Sequence, residues 1–222
     1  MSATIIAIDG PAASGKSTLA RLIAQHHGWA YINTGQMYRA VAYFGLLSNL
    51  TLPEDEFAAI GIAKSLCFSI KNRTLLVNGE DLSEKICLPI VEKVVSAYAA
   101  VPDIRSLLVS KQRDIAKTQS VVMDGRDIGT VVFPDATLKI FLVARAEVRA
   151  KRRHQELQDR GLDNLPPYEE ILRDIEQRDA QDRERTVSPL IQASDAILVD
   201  TSTLSVQETI ALIETLLKET PA

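Results

Sequence analysis

The chain has only two cysteines, Cys67 and Cys87, among 222 residues. They lack metal-ligand spacing and cannot found a disulfide framework, so a reducing cytoplasm is the expected compartment. Both fall in or beside a stretch that reads as an insertion, where they are expected as small core residues. No apolar run approaches the ~18 residues that a membrane span needs. The first residues lead straight into a strand pattern, without a basic region or a cleavable apolar segment. Positive charge is not in excess: 25 Lys and Arg stand against 29 Asp and Glu, a net of −4. A dedicated nucleic-acid binder is usually basic, so no nucleic-acid partner is expected. Internal repeats and low-complexity tracts are absent. What remains is a chain with 46% hydrophobic residues, enough for one sizeable α/β domain with a small insertion.

The strongest signal is Gly10-Pro11-Ala12-Ala13-Ser14-Gly15-Lys16-Ser17-Thr18. It has the form G-x-x-x-x-G-K-S of a loop that cradles phosphates. A polyphosphate needs many N–H donors at close range, so backbone must wrap it and side chains must stay out of the way. Gly10 and Gly15 permit that turn. Lys16 supplies a compact positive charge to the β- and γ-phosphates, and the Ser17 hydroxyl can hold Mg²⁺. The flanks fit. Thr4–Ile8 is a short β-branched run suited to a buried parallel strand, and Thr18–Ala24 has helical spacing.

Farther along, strands and helices alternate. Trp29–Ile32 reads as a strand, and Thr34 as the cap of a helix over Gln36–Tyr43 that carries Arg39. Pro53–Glu56 opens a helix to about Ser65. Leu66–Ile70 and Thr74–Val77 read as short strands around Lys71-Asn72-Arg73. Asn78-Gly79 marks a turn, and a third short strand is expected near Leu82. Pro89–Tyr98 and Pro102–Lys117 are helical. Ser120–Met123 is a buried strand ending at Asp124-Gly125-Arg126-Asp127, where an open α/β sheet places ligands. Leu138–Val143 is a strand, followed by a helix from Ala146 to about Arg160 with Arg149, Lys151, Arg152 and Arg153. Gly161–Pro167 is a break. Tyr168 to about Arg185 is helical, with Arg178, Asp182 and Arg185 on one face. Ala196–Asp200 is the last strand, and Ser205 caps the final helix. The expected fold is a three-layer α/β/α P-loop fold with a parallel sheet. Residues 1–222 form one domain, with residues 66–100 an inserted subdomain of small antiparallel strands plus a helix, and about 152–185 a short helical lid.

Four segments together resemble the bacterial cytidylate kinase family, in its order. They are Asp9–Thr18, Asn33-Thr34-Gly35-Gln36-Met37-Tyr38-Arg39-Ala40, Asp124 through Pro134, and Arg178-Asp179-x-x-Asp182-x-x-Arg185. The resemblance spans essentially the whole chain. It implies a monomeric nucleoside monophosphate kinase that moves the γ-phosphoryl of ATP to CMP or dCMP with Mg²⁺. It further implies that residues 10–18 hold the ATP phosphates, with Lys16, Arg126 and Arg178 catalytic. Arg39 and Arg126 would grip the CMP phosphate. Ser96, Arg105 and Asp127 would meet the cytosine with Arg185 nearby. Arg178 and Asp182 would bind ribose, and Thr34 would line the acceptor site. Asn33 and Gln181 stand where the family commonly has an aspartate and an arginine. Two other readings compete: a small P-loop kinase for a different acceptor, and a nucleotide-dependent switch. The insertion and Gly125–Gly129 oppose the first, and the lack of an N/T-K-x-D guanine motif opposes the second.

Overall fold

The computed structural model describes residues 3–71, 74–159, 161 and 165–220. Five parallel strands form the central sheet in the order β2-β5-β1-β6-β7. They are β1 (Ile5–Asp9), β2 (Ala30–Asn33), β5 (Val121–Gly125), β6 (Leu138–Val143) and β7 (Ile197–Asp200). Period-two alternation sends their side chains to two faces, and both faces are covered. Ile6, Ile8, Val122, Ile140 and Leu142 pack with Leu19 and Ile23 of α1 (Lys16–His27) and Ile213 of α8 (Val206–Glu219). Ala7, Ile32, Val121 and Met123 face the other way, toward α2 (Thr34–Leu47) and α5 (Pro102–Ala116). Each fully buried aliphatic side chain contributes about 1.5–3 kcal/mol, which fixes the register.

The register matters for the site. Asp9 pairs with Gly125 and with Phe141, and Asn33 pairs with Asp124. The carboxyl ends of β2, β5, β1 and β6 therefore finish level, and chain emerging from each reaches one crevice.

The segment at 66–100 holds a separate two-stranded antiparallel sheet, β3 (Phe68–Lys71) with β4 (Thr74–Val77), after α3 (Glu56–Ser65) and before α4 (Pro89–Ala100). Asn72 and Arg73 of its expected turn lie outside the described residues. Asn78-Gly79 makes the turn its sequence signals: both have positive φ, and Val77 and Glu80 exchange backbone hydrogen bonds across it. The third strand expected near Leu82 does not form. Asp81 instead accepts the Ser83 backbone N–H at 2.9 Å and hydroxyl at 2.6 Å, a local turn that competes with a strand ladder. A short 3₁₀ turn over Lys85–Cys87 follows. Of the two cysteines expected in the core, Cys67 is instead exposed, while Cys87 is half-buried and packs against the core edge. Cys67 is held by backbone, its N–H on the Asn78 side chain and its carbonyl on the Asn78 N–H, so its thiol faces out.

Helices α6 (Ala146–Asp159) and α7 (Tyr168–Glu184) make a hairpin beyond β6, with Ala150, Leu157, Ile171 and Ile175 as a small core of their own. Arg160 and residues 162–164 of the expected break lie outside the described residues. Ala13 of the Gly-rich loop packs on this small core. The expected cap at Ser205 is present as a full capping box with Glu208.

Candidate active site

Strand β1 ends at Asp9 and the chain enters the phosphate loop through Gly10. Gly10 sits at φ +148°, and a Cβ there would fall 2.0 Å from the Leu142 carbonyl oxygen, so only glycine lets the loop pass β6. Gly15 at φ +95° caps α1, and Lys16 is its first residue. The Lys16 ammonium is buried and donates to the Pro11 carbonyl at 2.6 Å and to Ser14 Oγ at 3.3 Å. Burial, then the nearby Arg126 cation, hold its pKa well below the ordinary lysine value.

The next residue, Ser17, donates its hydroxyl to Asp124 at 2.9 Å, and Tyr31 donates to the other oxygen of the same carboxylate at 2.9 Å. Burial raises the Asp124 pKa, with Lys16 opposing. Asn33 closes the cluster. Its amide donates to Ser17 Oγ at 3.1 Å and to the Tyr31 hydroxyl at 3.2 Å. Its Oδ1 meanwhile accepts the Gln36 N–H at 3.1 Å. Asn33, not Thr34, is thus the cap of α2. Both residue types can cap, but Asn33 has the extended backbone a cap needs, while the Thr34 hydroxyl is already spent on the Asp124 carbonyl at 2.9 Å.

Across the crevice stand the arginines. Arg126, from the loop after β5, donates through Nε to Asp182 of α7 at 2.6 Å. Burial pulls its pKa down, but Asp182 and Asp124 outweigh that and leave it raised. Arg185 Nη1 approaches Asp182 at 3.6 Å. The Asp182 carboxyl is held low, the three cations Arg126, Arg178 and Arg185 overcoming its burial. Arg178 is pushed down to about 10 by burial, then by Arg126 and Arg39. Arg39 keeps a buried Nε with no protein partner. The structure therefore gathers Arg39, Arg126 and Arg178 into one field, with the Asp182 carboxylate ion-paired to Arg126 within it. Such a group suits an anion with more than one charge.

Deeper, Arg105 of α5 is ion-paired to Asp127, both buried, and it donates to the Ala99 carbonyl at 3.0 Å. Its guanidinium lies 5.2 Å from the Tyr38 ring centroid. Ser96 is half-buried on α4, one turn before Ala99. Among the described residues its hydroxyl makes no hydrogen bond to Arg105 or Asp127.

Four contributors were not singled out from sequence. Asp9 accepts backbone N–H groups from Ile128 and Gly129. Tyr31 braces Asp124. Arg149 and Arg152 of α6 reach the phosphate loop, Arg149 to the Ala12 carbonyl at 3.1 Å and Arg152 to the Ser14 carbonyl at 3.4 Å. The available signal was the spacing of Arg149, Arg152 and Arg153 at i, i+3 and i+4, one face of one helix. Arg153 uses that face to meet Glu92 of α4 at 2.7 Å, joining α6 to the inserted segment.

Comparison with known proteins gives the family. The cytidylate kinase family model matches residues 6–219. The chain is 48% identical over 214 residues to cytidylate kinase of Clostridium botulinum strain Hall, covering 96% of this chain and 97% of that protein. It is 47% identical over 212 residues to cytidylate kinase of Lactiplantibacillus plantarum, covering 94% and 92%. A solved structure from Eubacterium ventriosum, itself uncharacterized, shares the fold at a TM-score of 0.52 and 12% identity, covering 97% and 98%. With the phosphate loop, the arginine field and the buried Arg105–Asp127 pair in place, the match over nearly the whole length is decisive: the chain belongs to the cytidylate kinase family.

Proposed function

We propose that this protein transfers the γ-phosphoryl group of ATP to CMP or dCMP, giving ADP and CDP or dCDP. The observation that carries the reading is the buried Arg105–Asp127 pair beside the Arg39, Arg126 and Arg178 field, opposite the phosphate loop. Cytosine offers an exocyclic amino donor and two acceptors on its edge. Asp127 can accept the former, and Arg105 with Ser96 can donate to the latter. Uracil would turn a carbonyl toward Asp127, an unpaired and repulsive contact.

In this reading residues 10–18 take the ATP phosphates. Lys16 exchanges its bonds to Pro11 and Ser14 for phosphate oxygens, and the nucleotide's charge stabilises its ammonium. Arg126 and Arg39 take the acceptor phosphate. Arg126 trades the Asp182 carboxylate for it, which frees Asp182, with Arg178, for the ribose hydroxyls. Arg185 stays beside the base pocket, and Thr34 lines the acceptor floor. The part of the α6–α7 hairpin within about 152–185 serves as the lid, and 66–100 as the acceptor-side subdomain. The chain acts as a monomer.

The donor set fits Mg²⁺. Ser17 Oγ and the Asp124 carboxylate, 2.9 Å apart, are hard oxygen ligands at the loop, and Asn33 stands beside them. Ser17 and Asp124 would hold the ion, directly or through water. Bound with ATP, Mg²⁺ neutralises charge on the transferring phosphoryl group. No strong general base is required. Alignment of acceptor and donor and the arginine field, closed from water by the lid, carry most of the rate.

The test is ADP release with Mg²⁺–ATP and each nucleoside monophosphate in turn. Turnover with CMP and dCMP, far above UMP, AMP and GMP, supports the reading. Preference for another acceptor, or turnover without any, overturns it.

A further inference from the structure

At the opposite end of α1 from the phosphate loop lies a group of side chains that nucleotide chemistry does not use. The helix finishes on His26-His27, and Gly28 turns the chain back in the left-handed region. His27 Nε2 lies 2.9 and 3.0 Å from the two carboxylate oxygens of Glu214 on α8. The His27 ring stacks on Trp29, centroids 4.3 Å apart and planes at 21°, which fixes the direction of its nitrogens. The exposed His26 ring meets His27 edge-on at 5.1 Å. One ligand atom from each of His26, His27 and Glu214 lies within 4.8 Å of the other two.

We propose that His26, His27 and Glu214 form a binding site for a divalent transition cation of the Zn²⁺ class. The donor chemistry points there. Two imidazole nitrogens and one carboxylate oxygen are the ligand types of zinc, whereas Mg²⁺ and Ca²⁺ take oxygen sets. The geometry needs little change. Bonds of about 2.0–2.2 Å in a tetrahedron put donor atoms roughly 3.3 Å apart. The His27–Glu214 pair is already near that separation, and only His26, free at the surface, has to swing inward. Because His26 is exposed, water can complete a fourth position. The stacked Trp29 and the packed α8 supply the outer support that keeps such ligands aimed. An ordinary hydrogen bond between His27 and Glu214 accounts for two of the three groups but gives His26 no part. The site joins α1 to α8 and lies about 18 Å from Lys16, the length of a 12-residue helix, so the cation would strengthen the fold without entering the phosphoryl transfer.

The test uses the full chain, stripped with chelator and kept in saturating Mg²⁺ to fill any oxygen site at the loop. Zn²⁺ is titrated in, with competition against a chromophoric chelator, and Cu²⁺ in parallel. The chain's single tryptophan, Trp29, reports on the site by fluorescence. The expected result is one saturating equivalent of Zn²⁺, a raised Tm, and Trp29 quenching by Cu²⁺ at the same stoichiometry. His26→Ala and Glu214→Gln should each weaken binding about tenfold or more. Cys67→Ser with Cys87→Ser should leave it unchanged, and kinase activity should stay level in His26→Ala. No saturable binding, binding untouched in His26→Ala, or binding lost with the thiols instead would overturn the proposal. His26 is exposed, so its variant folds and keeps the test decisive if Glu214→Gln does not.

Discussion

The Asp9 carboxylate accepts the backbone N–H of Gly129 at 2.7 Å with one oxygen and that of Ile128 at 2.8 Å with the other. Asp9 thus closes β1 immediately before the phosphate loop, while its side chain holds the loop that carries Arg126 and Asp127. One residue ties the start of the phosphate loop to the segment after β5. The site is tight: a Cβ on Gly129 would meet Lys139 side-chain carbon at 3.1 Å and Asp9 itself at 3.4 Å.

This bond makes a pH prediction. Burial raises the Asp9 pKa from 3.8 to about 6, with like charge on Asp127 adding and the two N–H bonds and Lys16 opposing. The sign follows. Between about pH 4 and 6 the folded chain binds a proton that the unfolded chain lacks, so this group adds stability as pH falls through 6 and takes it away as pH rises. Activity moves the other way. A protonated Asp9 presents an O–H to an N–H, and the 126–129 loop loosens. KM for CMP should rise below pH 6. The acceptor phosphate also titrates near 6, so the readout is the difference from Asp9→Asn, whose amide mimics the protonated state at every pH. Asp9→Asn should show weak CMP binding throughout, with only the substrate's own titration left. Identical pH profiles for the two proteins would remove Asp9 from this role.

Asp127→Ala should raise KM for CMP and shrink the preference for CMP over UMP about ten- to a hundredfold. That is the size of one or two lost polar contacts in a buried site. The Arg105 guanidinium, also buried, loses its partner, so circular dichroism must first show an intact fold. Asp127→Asn is the sharper variant. Its amide can donate to a uracil carbonyl and should move the ratio toward UMP. An unchanged ratio in both variants would take base recognition away from Asp127.

How much of this was legible in sequence follows from the range of each interaction. β1, the phosphate loop and α1 could be read because their signals are local: a β-branched run, two glycines, then helical spacing. Arg126 and Asp127 were placed at a strand end by the same logic. Thr34 was misread as a cap because its true partner, the Asp124 carbonyl, lies 90 residues away. Leu82 looked like strand, but an Asp81–Ser83 turn decides there. Arg149 was seen only as one charge among four on a basic helix. Its Ala12 carbonyl is 137 positions distant, and nothing local announces it.

Arg149 also ion-pairs with Asp179 of α7 at 2.7 Å, both side chains buried. Arg149→Ala should cost about 3–5 kcal/mol, because the buried Asp179 would lose its close partner and keep only the exposed Arg183, 4.0 Å away. In a chain of this size that is a Tm drop on the order of 10 °C. Arg149→Met combined with Asp179→Leu should recover most of the loss, since no charge is then stranded. Denaturant melts of the three proteins decide it. A double variant as unstable as Arg149→Ala would mean that the carbonyl bonds to Ala12 and Ala144 matter more than the ion pair.

Lys16→Ala should cut kcat by at least about a hundredfold while CMP affinity holds, since in the proposed reaction the ammonium serves the ATP phosphates. Isothermal titration with CMP alone separates the two effects. Near-normal turnover would remove the loop lysine from the mechanism.

Asn33→Asp tests the side chain that caps α2 on one side and faces Ser17 and Tyr31 on the other. The cap survives, because a carboxylate accepts the Gln36 N–H as the amide does. What changes is the other side. The Asn33 amide now donates to Ser17 Oγ and Tyr31, whereas a carboxylate there can only accept, and it sets a second negative charge beside Asp124. Without metal, the two carboxylates repel and one of them should take up a proton more readily, so the free enzyme should lose stability. With Mg²⁺ the same pair becomes a better oxygen site. The Mg²⁺ concentration for half-maximal rate should fall several-fold, and Tm should gain more from Mg²⁺–ATP than in the parent. If neither the Mg²⁺ dependence nor the ligand-induced Tm shift moves, Asn33 serves only as the cap of α2 and the ion is held elsewhere.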